Sequence, residues 1–241
     1  MDFAPSDTSG PKAVVLLSGG LDSTTVLAIA RDQGFACYCL SFHYGQRQAI
    51  ELARAAEISS RMGAVQQMVL QIELDKIGGS ALTSGHSEVP KGREFAAMEA
   101  GIPPTYVPGR NTIFLAYAMA WAEVIGADDI FIGINALDYS GYPDCRPAYL
   151  ESFTKMARLA TRAGTEGKRI LQIHAPLIHM TKKEIIRKGL SLGVDYASTH
   201  SCYDPEEDGT ACGKCDACLL RRRGFAEAGL KDPLPYGNRR E

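Results

Sequence analysis

No run of 18 consecutive apolar residues occurs in the chain, and the apolar segment from Ile113 to Ile125 is too short to cross a bilayer. The first residues, Met1-Asp2-Phe3-Ala4-Pro5-Ser6-Asp7, lack a basic stretch followed by an apolar one, so no signal peptide is read and the cytoplasm is the expected compartment. Charge of one sign is scarce. Lys and Arg total 26 against 28 Asp and Glu, a formal net charge of -2, which argues against a sequence-independent electrostatic grip on nucleic acid. The cluster Arg221-Arg222-Arg223 does not change that and is read as a solvated helix face. An even cysteine count is missing too: there are seven, and four crowd between 202 and 218, which favours metal binding over a disulfide framework. Repeats and low-complexity tracts are absent.

What is there is ordinary in bulk. With 241 residues, 45% hydrophobic and 22% charged, the chain is long enough for a full core in one α/β domain or two small ones. After a polar leader to Pro11, strand-length apolar runs alternate with helical patterns. Val14 to Leu17, Ala36 to Phe42 and Val65 to Ile72 read as strands; Ser23 to Gln33 and Gln46 to Met62 read as helices. This order implies parallel strands joined by helical crossovers, with ligands bound beyond the strands' carboxyl ends. Gly78 to Gly109 reads as a long loop, functional or disordered, with a helical turn at Glu94 to Glu99. Then follow a helix from Thr112 to Ile125 that is apolar nearly all round, a strand from Asp129 to Ile134, and a helix opened by Pro147. That helix carries Leu150, Phe153, Met156, Ala157 and Ala160 on one face. Ile170 to Ile173 reads as a short strand, and Thr181 with Glu184 as a capping box opening a helix from Lys182 to Leu190.

Ser18-Gly19-Gly20-Leu21-Asp22-Ser23 forms a glycine-rich bend between the first strand and its helix. Adjacent glycines permit positive φ and close backbone approach, serine hydroxyls add donors, and the helix presents unpaired N–H groups to an anion. The lysine that G-x-x-x-x-G-K-[ST] requires is missing, as is G-x-G-x-x-G. What remains resembles the SGGxDS loop of the PP-loop ATP pyrophosphatases, which cleave ATP between its α and β phosphates. The plainer alternative is a Gly-Gly turn with Asp22 or Ser23 as helix N-cap.

Cys202, Cys212, Cys215 and Cys218 leave nine, two and two residues between successive thiols, a set suited to a closed structural zinc site. Gly213 can take the positive-φ bend of the knuckle and Lys214 can offset the thiolate charge. His200 is read as lying beside the thiolates or facing the active site. His43, at a strand end, is a pocket candidate; His86, His174 and His179 are read as structural. Two segments look like site loops. In Val107-Pro108-Gly109-Arg110-Asn111, Arg110 can reach phosphate oxygens while Asn111 caps the helix. The stretch from Asn135 to Arg146 mixes carboxylates with aromatics, which suits a planar polar heterocycle; a surface turn is the alternative.

The segments SGGLDSTT, FHYGQRQ, VPGRNTIFL, GINALDYSGYPDCRP, TKKEII, THSCYDP and CGKCDACLLRRRGF, in that order, resemble the 7-cyano-7-deazaguanine synthases, enzymes of the queuosine precursor pathway. The resemblance runs from about Lys12 to Asp232. It implies a Rossmann-like α/β fold, a parallel sheet with helices on both faces, over residues 12–200. A zinc-binding segment over 201–232 packs on it, with a flexible leader over 1–11 and a tail over 233–241. It further implies that ATP, with Mg²⁺, is held along Leu17, Ser18, Gly19, Gly20, Leu21, Asp22, Ser23, Thr24, Thr25, Val26 and Leu27. Asp22 is a candidate Mg²⁺ ligand, Arg110 and Lys182 would neutralise phosphate charge, and Asp138, Tyr139 and Asp144 would contact the deazaguanine. A homodimer without nucleic-acid or membrane partners is expected. Cys145 could be a nucleophile, although the implied reaction needs none and a packed thiol is the alternative reading. The rivals are a tRNA-modifying enzyme of the same ATP chemistry, which would carry a basic face or an RNA-binding module, and a non-enzymatic zinc-knuckle binding module.

Overall fold

The computed structural model describes residues 9–46, 50–84, 87–99, 101–137, 141–167 and 169–237. Five parallel strands, β1 (Lys12–Leu16), β2 (Ala36–His43), β3 (Gln66–Gln71), β4 (Asp129–Phe131) and β5 (Gln172–His174), line up in the order β3-β2-β1-β4-β5. The chain winds outward from β1 through β2 to β3 and then returns to build β4 and β5 on the other side. The sheet's switch point therefore falls between β1 and β4, where their carboxyl ends part and leave a crevice.

Helices α1 (Leu21–Asp32) and α2 (Ile50–Arg61) cover one face with α7 (Lys182–Ser191) and α8 (Asp216–Glu227). The other face carries α4 (Arg110–Ile125) and α5 (Pro147–Ala160); the short α3 (Phe95–Glu99) and α6 (Arg162–Thr165) lie in connections. Strand periodicity sorts the core. Val14, Leu16, Leu40, Phe42 and Ile130 point to the α4 side, while Ala13, Val15, Leu17, Cys37, Cys39 and Phe131 point to the α1 side. Both faces of the sheet are covered, so β1 reads as an unbroken apolar run.

Several expected boundaries shift for physical reasons. Helix α1 begins at Leu21, with Gly20 extended as its N-cap and no side-chain cap, so neither Asp22 nor Ser23 caps it. Helix α4 begins at Arg110 instead of Thr112. Strand β4 stops at Phe131 because Gly133 turns beneath the phosphate loop; a Cβ there would stand 3.1 Å from the Ser23 backbone. The last strand is Gln172–His174, not Ile170–Ile173. The capping box is built as expected: Thr181 Oγ accepts from the Glu184 N–H, and the Glu184 carboxylate accepts from the Thr181 N–H at 2.8 Å.

The segment from residue 201 is not a separate body. Its cysteines belong to the same core as β1 and α4, and Lys91, from the long loop, pairs along Cys215 and forms an ion pair with Asp204. Nor do residues 233–237 form a tail. Tyr236 pairs along Ala211, its hydroxyl donates to Asp232 at 2.6 Å, and the Gly237 N–H donates to the Ala211 carbonyl at 2.8 Å.

Helix α7 packs on α1 where Gly189 leaves room for Tyr196, whose hydroxyl bonds Thr25 Oγ at 2.7 Å and donates to the Ile185 carbonyl at 3.2 Å. A Cβ at Gly189 would fall on the Tyr196 hydroxyl. Gly189→Ala is expected to cost about 1–3 kcal/mol by overpacking, measured as a lower urea midpoint with unchanged slope.

Candidate active site

At the switch point lies a cleft of about 200 Å³. Its floor is the phosphate loop, made by Leu17, Ser18, Gly20, Leu21, Asp22 and Ser23. Gly19 takes φ +83°, and a Cβ there would press 2.5 Å from the Glu51 carbonyl, so only glycine lets the loop lie against α2. The two serines bond each other at 3.0 Å, and the Ser18 and Gly20 N–H groups donate to serine hydroxyls at 3.2 and 3.3 Å. The remainder of the expected ATP run turns away. Thr24 Oγ donates to the Gly20 carbonyl and Thr25 Oγ to the Leu21 carbonyl, while Val26 and Leu27 are core residues of α1. These four residues do not line the cleft: each residue along α1 rises 1.5 Å further from the loop, and their side chains bond within the helix or enter the core.

Asp22 and Lys182 face each other across the cleft floor, with Lys182 Nζ 2.7 and 2.8 Å from the two carboxylate oxygens. The lysine side chain is only 8% exposed. Helix α7 thus brings an ammonium group to the loop from 160 residues away. Opposite stands Arg110 on the first turn of α4, its guanidinium carbon 6.0 Å from the Phe114 ring centre. Burial works against its charge, but the surrounding hydroxyls of Tyr44, Tyr142 and Tyr203 outweigh burial and push its pKa up. Among the described residues it forms no ion pair with a carboxylate. The apolar wall is Leu40, Phe42, Ile132 and Ile134 at strand ends, with Phe42 stacked on Phe114 at 4.0 Å.

The expected roles of Asn111 and Asp144 change. Asn111 lies inside α4, and its amide donates to the Asp144 carbonyl at 3.3 Å and to Cys145 Sγ at 3.4 Å. The cap comes instead from the Asp144 carboxylate, which accepts the Asn111 N–H at 3.0 Å; Asp144 is buried and does not line the cleft. Asp138 and Tyr139 lie outside the described residues, as does His86. Cys145 lines the cleft, and burial raises its thiol to about 12, so it stands protonated at neutral pH. His43 is not among the cleft residues. The His200 side chain is buried, which pushes its pKa down to about 4, and the His200 backbone N–H donates to the Gly19 carbonyl at 2.9 Å. Ser201 Oγ accepts the Leu21 N–H at 3.2 Å. Ser201, Tyr203, Tyr142 and Tyr44 all line the cleft; Ser201 and Tyr203 flank Cys202, the one signal that could have found them.

Cys202, Cys212, Cys215 and Cys218 are all buried, with their sulfurs within 4.8 Å of one another. A tetrahedron with metal–sulfur bonds of about 2.3 Å has sulfur–sulfur edges of about 3.8 Å, so a small inward shift closes the set on one ion. Backbone N–H groups of Tyr203, Cys212, Lys214 and Cys215 donate to these sulfurs at 3.2–3.4 Å, as stabilised thiolates require. Donation from Cys202, then Cys215 and Cys218, holds the Cys212 thiol far below the ordinary thiol range. Gly213 takes φ +70°. Of the Arg221 to Arg223 cluster, Arg222 and Arg223 are exposed as a solvated face requires, but Arg221 is not: it is 2% exposed, bonds Asp232 at 2.9 and 3.0 Å, and donates to Thr199 Oγ at 2.7 Å. Arg222 lies over Tyr236 and Arg223 over Phe95.

The sequence matches, over residues 12–229, the family described as Queuosine biosynthesis protein QueC. The chain belongs to the QueC family. Among its relatives, a 7-cyano-7-deazaguanine synthase of Desulfatibacillum aliphaticivorans is 61% identical over 225 residues, 93% of this chain and 96% of the relative. One of Geotalea daltonii is 62% identical over 228 residues, 95% of this chain and 97% of the relative. One of Kineococcus radiotolerans is 62% identical over 224 residues, 93% and 97% respectively. These relatives match this chain over nearly its whole length.

Proposed function

We propose that the chain makes 7-cyano-7-deazaguanine from 7-carboxy-7-deazaguanine and ammonia at the expense of ATP. The observation that carries this reading is a phosphate loop at the sheet's switch point facing two cations, Lys182 and Arg110, in a chain about 61% identical to synthases of that name. The substrate carboxylate attacks the α-phosphorus of ATP and pyrophosphate leaves. Ammonia then displaces AMP from the acyl adenylate, releasing a proton and leaving an amide. The amide oxygen attacks a second ATP, again releasing pyrophosphate, and loss of AMP and of both amide N–H protons gives the nitrile. AMP is installed because carboxylate and amide oxygens are poor leaving groups.

Backbone N–H groups at the start of α1 and the Ser18 and Ser23 hydroxyls hold pyrophosphate; Arg110 and Lys182 neutralise the charge that develops on it. Mg²⁺, when bound, spreads charge over the phosphate oxygens. Asp22 fits as its ligand, because a carboxylate keeps acceptor capacity beyond the two bonds from Lys182. The apolar strand-end wall suits the adenine, and Asp138 and Tyr139 stay our choice for the deazaguanine. Asp144 acts there through the helix start it caps. Zinc is our assignment for the four thiols, since tetrahedral sulfur ligation is its usual structural site. With no open coordination position, its role is structural. Pyrophosphate release assayed with and without 7-carboxy-7-deazaguanine tests the reading: release is expected to require the acid, and acid-independent release would contradict it. A tRNA-modifying enzyme would respond to tRNA instead.

We place the protein in the cytoplasm, on the strength of seven free cysteines. Among the described residues no helix is long and apolar enough to cross a membrane. We also propose a homodimer. Helices α4 and α5 run side by side, joined by Thr112 to Tyr149 at one end and by Glu123 to the Arg162 N–H at the other. Tyr117, Val124, Met156 and Leu159 stand exposed on them, Val124 by 83% and Leu159 by 82%. Sedimentation at micromolar concentration is expected to give twice the 26.0 kDa chain mass, falling to the chain mass when Val124 and Leu159 are both changed to Glu. A wild-type species of chain mass would remove the dimer.

A further inference from the structure

A second, smaller cavity of about 20 Å³ adjoins the cleft. Tyr142 and Tyr203 line both spaces and form a shared wall; Thr105, Asp216, Met98 and Leu220 line the small one. Tyr142 bonds Thr105 Oγ at 2.9 Å and also the Tyr203 hydroxyl. Arg110 of the cleft faces both tyrosines. Asp216, 6% exposed, receives Arg93 Nη1 on one oxygen at 2.8 Å. Its other oxygen, Oδ1, is buried with no hydrogen-bond partner among the described residues. Such an orphaned acceptor is destabilising, and a bound donor would offset that. Size limits the donor. One water needs about 10–15 Å³ of such space, so a molecule of water size fits, and a heterocycle, a nucleotide or a glutamine side chain does not.

We propose that this cavity is a holding site for ammonia drawn from the ammonium pool, bound through an N–H to Asp216 Oδ1 and separated from the cleft by Tyr142 and Tyr203. The proposal rests on the ammonia-consuming reaction above. A carboxylate oxygen left open by its arginine accepts an N–H from neutral ammonia, the free-base fraction of the pool, which keeps its lone pair for attack, and the site lies against the tyrosines that Arg110 faces. The test is nitrile formation by the zinc-loaded protein against ammonium chloride concentration, with ATP and acid saturating. Asp216→Asn is expected to raise the KM for ammonium about 10- to 100-fold, the worth of one hydrogen bond to a charged group, while the KM for ATP holds. Leu220→Phe keeps Asp216 but fills the cavity and is expected to raise the same constant; it decides the matter if Asp216→Asn loses its metal. A KM for ammonium within about twofold of wild type for metal-loaded Asp216→Asn and Leu220→Phe would mean an ordinary buried water and overturn the site. Wild-type protein that shows no ammonium-dependent product would overturn the reaction reading itself, and the site with it.

Discussion

Cys212→Ser is expected to lose both the bound metal and nearly all turnover, although Cys212 itself touches no part of the cleft. The sulfur of Cys212 accepts the N–H groups of Lys214 and Cys215, and the Cys212 N–H donates to Cys202 Sγ at 3.2 Å, so one thiolate organises the knuckle. Structural zinc contributes on the order of 10–16 kcal/mol of apparent binding energy in small peptides. Losing even about 4 kcal/mol of that would lower the Tm by about 8–16 °C in a chain of this size. The loss spreads because the same segment builds the cleft. Ser201 and Tyr203 flank Cys202, Ala217 precedes Cys218, all three line the cleft, and the His200 and Ser201 bonds fasten the phosphate loop. Zinc content by atomic emission, a thermal melt and turnover are expected to fall together. Retained turnover in a metal-free variant would separate the knuckle from the site and contradict this coupling.

Lys182→Met is expected to reduce kcat/KM for ATP by about 10²- to 10³-fold, the range found when one preorganised donor to developing charge is removed. It should also destabilise the fold. Asp22 would keep its charge at the cleft floor without its partner, and breaking a buried pair from one side costs about 3–5 kcal/mol. Asp22 is 19% exposed, so the lower end applies, about 6–12 °C in Tm. Lys183→Met, one residue along and half-buried, serves as the control, expected to stay within about 0.5 kcal/mol of wild type. Full turnover in Lys182→Met, at a temperature where it is folded, would remove Lys182 from the chemistry.

The phosphate loop and the sheet that carries it were legible because their signals are local. An apolar run followed by Gly19-Gly20 and an amphipathic continuation specifies a strand, a bend and a helix without help from the remainder of the chain. The cysteine knuckle was legible for the same reason, three of its ligands standing with two residues between them and the fourth nine residues before. Contacts set by distant chain were not. Arg221 and Arg222 are neighbours of one type, yet only Arg221 is buried against Asp232 and Thr199, a difference made by the strand-like return of residues 232–237. The cap of α4 comes from Asp144, 33 residues beyond the amide it satisfies, so Asn111 looked like the cap from its position alone. Likewise the bond from Leu21 to Ser201 spans 180 residues. The deazaguanine contacts expected at Asp138 and Tyr139 lie outside the described residues, and that part of the site rests on residue chemistry.

In the proposed reaction one cleft activates an acid and then an amide with ATP, carrying a carboxylate through to a nitrile. It is tested most directly by incubating the protein with 7-carboxy-7-deazaguanine, ammonium chloride, Mg²⁺ and ATP, and counting AMP and pyrophosphate against product by mass spectrometry. The account expects the nitrile as the final product, with two AMP and two pyrophosphate formed for each nitrile and no ADP. Conversion of ATP to ADP and phosphate, or AMP release that does not depend on the acid, would contradict it.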